Sequence, residues 1–280
     1  MEIDILKSSG EKAKFSLPKL RNSLKHSGAD HNLIEQIIDK VREELYEGIT
    51  TNEIHNRAFA ILKKNSPTFA SKYKLKKAIY ELGPTGFPFE RFIAAILQYS
   101  GYATRTNETM NGICVTHEID VVAEKEGTIT LIECKFHAEE GRHCNVKIPL
   151  YIHSRYTDVK AHWEAKKKET KKLDAGWVAT NTRFTNDAIQ YGRCAGLYLL
   201  SWDYPLNDGI KDRIDRLGLY PITVSTLLTN REKQFLLGRD VVLCRQLWKN
   251  LFFLDHLNIS ETRKEKITNE IKELCQFQSK

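Results

Sequence analysis

Four residues in the middle of the chain have types that packing alone does not call for: Glu90, Asp120, Glu133 and Lys135. The last two belong to Glu133-Cys134-Lys135, near the end of a stretch, Thr128 to Phe136, that alternates as a strand does. Side chains on a strand change faces with a period of two. Ile129, Leu131, Glu133 and Lys135 therefore share one face, and Thr130, Ile132, Cys134 and Phe136 share the other. A solvated Glu/Lys pair is the plain account of such a face, because charged residues are mostly exposed. Asp120, however, lies on the preceding strand of the same predicted hairpin, and Glu90 lies on a predicted helix just upstream. Carboxylates gathered at one place repel one another unless a cation joins them, a cost that a purely structural hairpin has little reason to accept. The chemistry open to this set is therefore reaction assisted by a hard divalent cation, which prefers oxygen ligands.

The elements that must position these residues are legible around them. "GPTGFPF" at 83–89 carries two glycines and two prolines and marks a boundary. A helix follows from about Phe89 to Tyr99, with Phe89, Phe92, Ile93, Ile96 and Leu97 as its apolar stripe and Glu90 on the flank. Strands are predicted near 113–123 and 128–136, joined by the tight turn "KEGT", hence antiparallel, with Asp120 at the end of the first. A polar, partly helical stretch covers about 138–175. "AGWVATNT" then reads as a buried strand, "FTNDAIQYGRCAG" as a helix and "LYLLSW" as another buried strand, a spacing that predicts a parallel pair in a sheet covered by helices.

In this order and context, the set resembles the PD-(D/E)xK nuclease superfamily, in its Mrr-type restriction-endonuclease-like branch. "FERFIAAILQYSGY", "HEIDVVAE" and "LIECKF" are similar to the catalytic half, and "WVATNTRFTNDAIQYGRCAGLYLLSWDYP" to the second half, over roughly residues 86–205. The resemblance implies phosphodiester hydrolysis with Mg²⁺ or Mn²⁺. Asp120, Glu133 and the Cys134 backbone carbonyl would hold the metal, and the Cys134 thiol would face away into packing. Lys135 would orient the attacking water or stabilise transition-state charge. Glu90 would serve a second metal or orient a metal-bound water. Glu118, two residues before Asp120, is either an auxiliary ligand or a surface residue. Lys147 and Arg155, on the segment after the catalytic strand, are candidates for DNA backbone contacts, with solvent exposure as the alternative.

Residues 3–16 read as a hairpin with Gly10 in its turn, and Pro18 suits the start of a helix running to about His26. Helical periodicity recurs through "NLIEQIIDKVREELYEG", "TTNEIHNRAFAILKK" and "SPTFASKYKLKKAIYEL", giving a hairpin with four helices in about the first 82 residues. This segment resembles the ATP-cone, a nucleotide-sensing regulatory domain. The resemblance implies that Lys7, Gly10, Lys19, Thr51 and His55 hold a purine nucleoside triphosphate, ATP or dATP. Thr51 and His55, four apart, share one helix face. Ser8 stands where the family has arginine, and Ala13 where it often has glutamate, so affinity or the choice among nucleotides is altered.

The 280 residues carry a net charge of +7, with 41% hydrophobic and 28% charged residues, an ordinary globular composition that suits a polyanionic partner. The basic run "KKKETKK" at 166–172 fits a phosphate contact or a solvated helix face equally. No apolar run reaches membrane-spanning length, and the acidic, polar start is unlike a secretory signal, so a cytoplasmic protein is expected. The six cysteines lie apart without a CxxC pair, as reduced thiols would; His137, His143, Cys134 and Cys144 do cluster, but without paired zinc-ligand spacing. "FLLGRDVVLCRQL" resembles, faintly, a helix-hairpin-helix unit, with a plain helical cap as the alternative.

The sequence thus predicts an α/β multidomain chain. An ATP-cone-like domain is expected at 1–82, a restriction-endonuclease-like mixed-sheet domain at 86–205 and a helical segment at 215–280. The expected function is a nucleotide-regulated, metal-dependent endodeoxyribonuclease, acting on DNA as a homo-oligomer, possessing no membrane segment and suited to defence against foreign DNA. The alternative is a nucleotide-responsive DNA-binding regulator without catalysis, and an RNA nuclease stays open as a third reading.

Overall fold

Residues 3–7, 10–166 and 171–276 are described by a computed structural model; Ser8 and most of the basic run, 167–170, lie outside them. The chain divides into two units: one runs to Ile79 and resumes at Tyr220, and the other spans Tyr80–Leu219.

In the first unit, β1 (Asp4–Leu6) and β2 (Lys12–Lys14) pair antiparallel, and Gly10 at φ 82° makes the turn between them. Five helices follow, where four are expected from periodicity: α1 (Leu17–His26), α2 (His31–Glu43), α3 (Thr51–Asn65), α4 (Pro67–Tyr73) and α5 (Leu75–Tyr80). The predicted last helix is broken at Lys74 into α4 and α5. Side-chain caps set the starts: Ser16, Asp30, Thr50 and Ser66 each accept a backbone N–H of the turn they precede. The apolar faces of α1 to α4 close on Leu24, Ile37, Ile38, Ala58 and Leu62, all fully buried.

The second unit opens with α6 (Phe87–Tyr99), followed by β3 (Ala103–Asn111), β4 (Thr116–Lys125) and β5 (Thr128–Lys135). After the short β6 (His143–Cys144) come α7 (Lys147–Ala165), β7 (Lys172–Thr180), β8 (Arg183–Phe184), α8 (Asn186–Cys194), β9 (Tyr198–Leu200) and α9 (Ile210–Leu217). One five-stranded sheet has the order β3-β4-β5-β7-β9. It is antiparallel from β3 to β5 and parallel from β5 to β9, so the expected mixed sheet with a parallel pair is present. Strand β3 is absent from the sequence reading, and Asp120, expected at a strand end, lies inside β4. One face of the sheet packs Ile119, Val122, Ile129, Leu131 and Leu173 with Val159 of α7. The buried stripe of α6 includes Phe89, whose ring lies 5.7 Å from that of Phe136 just beyond β5.

The C-terminal segment packs with the first unit. It contains α10 (Asn230–Leu237), α11 (Cys244–Lys249) and α12 (Glu261–Cys275), with short 3₁₀ turns at Ile222–Val224 and Leu251–Leu257. Thr223 Oγ1 donates to the Ala78 carbonyl at 2.6 Å. Glu270 of α12, 3% exposed, accepts from Ser71 of α4 at 2.7 Å and from the N–H and hydroxyl of Thr226, each at 2.9 Å. A buried carboxylate is tolerable only when so supplied with donors.

Candidate active site and nucleotide pocket

The ladder between β4 and β5 ends at Val121↔Ile132, so the next opposed residues are Asp120 and Glu133. On its other side Asp120 faces Asn107, whose backbone is left-handed at φ 55° and which forms no pair in the β3–β4 register. Ile119 and Val122 both pack against the α7 side, although strict alternation would place residues three apart on opposite faces. Strand β4 is therefore irregular at Asp120. Its carboxylate turns back to the neighbouring strand, where Oδ2 accepts the Cys134 N–H at 2.7 Å.

Glu133 continues the Ile129–Leu131 face toward α7, as alternation predicts. There its Oε1 accepts from Arg155 Nη1 at 2.6 Å. The other Arg155 terminal nitrogen donates to the Glu118 carbonyl, and the guanidinium lies 5.5 Å from the centre of the Tyr151 ring. Arg155, a candidate DNA contact in the sequence, is thus turned into the carboxylate cluster; Lys147 is exposed at the start of α7. Lys135 is exposed at the end of β5, and Glu118 is exposed on β4. Glu90 sits in the first turn of α6, where a carboxylate is favoured by the helix dipole, and folds back toward Gly86.

The electrostatics join what the elements bring together. Burial pushes the Glu90 carboxyl up to about 7, helped by the charges of Asp120, Glu133 and Glu118. Burial also pushes Glu133 up to about 7, reinforced by Asp120 and opposed by Arg155 and Lys135. Asp120 is raised by burial against the lowering effect of the Cys134 N–H. The Cys134 thiol is desolvated and held well above its usual range by the same three carboxylates, which suits packing. A donor set that resists losing its protons in isolation, and carries two carboxylates and a backbone carbonyl at one strand end, fits a hard divalent cation. Among the described residues no group of three or more His, Cys, Asp or Glu side chains is gathered closely enough to hold a metal ion by itself. Backbone and water oxygens would have to complete the shell. His137, His143, Cys134 and Cys144, close in sequence, likewise form no such group among the described residues.

In the first unit a cavity of about 260 Å³ opens between the hairpin and the helices. Lys7, Lys19, Thr51 and His55 all line it, together with Ala13, Lys14 and Tyr73. Gly10 is not among the lining residues; it shapes the turn that follows Lys7. Leu6 N–H donates to the Ile49 carbonyl at 3.0 Å, which brings the end of β1 beside the start of α3 and so Lys7 toward Thr51. The His55 ring stacks on Tyr73 at 4.5 Å between centroids and forms one wall. A lining that combines lysine side chains with a stacked pair of rings suits an anionic ligand with a flat part. Tyr73 and Lys14 are missing from the sequence reading. Lys14 was hidden in a run of exposed basic residues, and Tyr73 in a helix stripe that reads as core.

Three family profiles divide the chain: the ATP cone domain matches residues 3–81, the restriction endonuclease catalytic domain of Mrr type 84–203, and the AF1548-like C-terminal domain 220–275. An uncharacterized protein of Archaeoglobus fulgidus is 38% identical over 132 residues, 47% of this chain and 70% of that protein. The crystal structure of AF1548, a protein of unknown function, is similar at 30% identity with a TM-score of 0.56, covering 68% of this chain and 98% of that one. The restriction endonuclease MspJI in complex with an oligonucleotide aligns at 12% identity and a TM-score of 0.31, over 70% of this chain and 39% of that one, too distant to carry an argument. Among the described residues no helix is long and apolar enough to cross a membrane. The chain belongs to the AF1548-like family and is an ATP-cone domain joined to an Mrr-type restriction-endonuclease-like domain.

Proposed function

We propose that this chain is a nucleotide-regulated, metal-dependent endodeoxyribonuclease. The observation that carries the reading is the Asp120 carboxylate bound to the Cys134 N–H, next in the chain to Glu133, with the Asp120 charge raising both Glu133 and Glu90, inside the nuclease-like domain. A bound Mg²⁺ or Mn²⁺ would supply the activated water and the charge neutralisation that phosphodiester hydrolysis requires. Asp120, Glu133 and the Cys134 carbonyl would hold that ion, the Asp120 carboxylate being already aimed by the Cys134 N–H. Lys135 would stand beside the scissile phosphate and stabilise the charge that builds on it. Glu90, with a carboxyl titrating near neutrality, is suited to hold or release a proton on the water side. Lys7, Lys19, Thr51 and His55 would bind a purine nucleoside triphosphate and bias the cleavage-competent state, with self-association of the chain as the expected means. The positive net charge suits DNA.

The test is cleavage of supercoiled plasmid and of a matched RNA with Mg²⁺, with and without ATP and dATP, beside Asp120→Asn and Lys135→Ala. Cutting of DNA by the wild type that both variants lose supports the reading. Binding of DNA without cutting under any metal and nucleotide combination, alike in all three proteins, replaces it with a DNA-binding regulator. Preferential cutting of the RNA makes the chain an RNA nuclease.

A further inference from the structure

Beyond Val121↔Ile132 no ladder bond fixes the distance between the strands that carry Asp120 and Glu133. Two contacts take its place. One is the Cys134 N–H to Asp120; the other is Arg155, which bonds Glu133 Oε1 at 2.6 Å and also the backbone carbonyl of Glu118, two residues from Asp120. The guanidinium thereby ties the side chain from one strand to the main chain of the next. It is itself held by Tyr151, one helical turn away on α7, and its side chain is only 14% exposed. Only arginine has donors in a rigid fork able to serve a carboxylate and a carbonyl at once.

We propose that Arg155 is a positioning residue that fixes Glu133 relative to Asp120, leaving the second Glu133 oxygen for the metal, rather than a contact to DNA phosphate. The inference rests on the metal-dependent reading given above. Outer partners of metal-ligating carboxylates orient the ligand, and their loss typically weakens metal affinity by about 10–100-fold. A phosphate contact predicts something different: weaker DNA binding with a shallower salt dependence, and no change in metal affinity.

The experiment is Mn²⁺ titration by calorimetry on the full chain, without DNA, for the wild type, Asp120→Asn, Arg155→Ala and Arg155→Lys, followed by duplex-DNA affinity of the same proteins without added metal at two salt concentrations, with thermal melts to check folding. The expected result is one Mn²⁺ bound by the wild type and lost in Asp120→Asn. Arg155→Ala should weaken it by about 10–100-fold. Arg155→Lys should recover only part of the loss, because an ammonium cannot reach both partners; it also carries the test should the alanine variant fail to fold. Wild-type affinity in a folded Arg155→Ala or Arg155→Lys overturns the positioning role and leaves the metal reading intact. A selective loss of DNA affinity, with Mn²⁺ binding unchanged, overturns it in favour of phosphate contact. No Mn²⁺ bound by the wild type removes the metal reading and this inference together.

Discussion

At the scale of single residues, the raised carboxyl groups make a pH prediction with a definite sign. Glu90 and Glu133 titrate near 7 in the folded protein and near 4.5 when unfolded. Between those values the folded state binds more protons, so their contribution to stability falls as pH rises through that window. Metal-free protein should therefore lose stability from these groups as pH rises from about 4.5 to about 7, the span between the ordinary and the shifted carboxyl values. Melting curves of Glu133→Gln and Glu90→Gln across this range should be flatter than the wild type's, and added Mg²⁺ should raise the wild-type melting temperature most at the alkaline end. Equal slopes in all three proteins would show that burial and mutual repulsion do not act as argued. The cleavage prediction belongs here too. Asp120→Asn and Lys135→Ala should each lower the cleavage rate by about a hundredfold or more, several kcal/mol of lost charge stabilisation, while DNA affinity stays within about threefold, a change of under 1 kcal/mol. The four candidate residues are legible in the sequence as a set because the hairpin and the helix that carry them are close together in the chain. Arg155's partner was not, since helix α7 brings it to Glu133 across 22 positions that no periodicity links.

At the scale of elements, what the sequence hides is what only tertiary neighbours decide. The strand β3, "ATRTNETMN", has no apolar face; it alternates between exposed and half-buried because it lies at the sheet edge, so a search for apolar alternation passes over it. Asp120 is displaced from the expected strand end because β4 runs on to Lys125, where Glu124 and Lys125 pair with Ile129 and Thr128 of β5. The buried strands β7 and β9 and the helix α6, by contrast, carry continuous apolar signals and fall where expected. Helix α12 shows the other kind of loss. Glu270 sits in a stretch rich in charge, "ETRKEKITNEIKELC", and looks solvated, yet it is buried among hydroxyl donors from Ser71, Ser225 and Thr226. Removing it strands those donors, so Glu270→Ala should destabilise the unit by about 3 kcal/mol, the range for hydrogen bonds to a buried charge. Urea unfolding followed by a probe in the first unit measures this; a loss below about 1 kcal/mol, the value of an ordinary hydrogen bond, would mean that the cluster is hydrated.

For the whole molecule, the cavity proposed to take the nucleotide belongs to one unit and the carboxylate cluster to the other. The proposed regulation therefore requires a coupling free energy between separate sites, and such coupling is reciprocal. If ATP changes the affinity for DNA by some factor, DNA must change the affinity for ATP by the same factor. The measurement uses Asp120→Asn, which should bind DNA without cutting it, with ATP affinity determined in the presence and absence of a saturating duplex, and DNA affinity in the presence and absence of saturating ATP. The two ratios should agree and should lie at about 5–150-fold, the usual range of allosteric coupling. Lys19→Ala and His55→Ala, which remove a cation and a stacking wall of the pocket, should each weaken ATP binding by about tenfold, roughly the 1.4 kcal/mol of one good charged or stacked contact. At a fixed ATP concentration below saturation, the same variants should reduce the effect of ATP on DNA binding in proportion. Ratios of one in both directions, with ATP bound, would mean that the nucleotide does not act through DNA affinity, and the regulatory part of the reading would then rest on the cleavage rate alone. Ratios that differ between the two directions would point to self-association contributing to one of the titrations. Repeating both at several protein concentrations separates that case, because only an assembly step makes the coupling depend on how much chain is present.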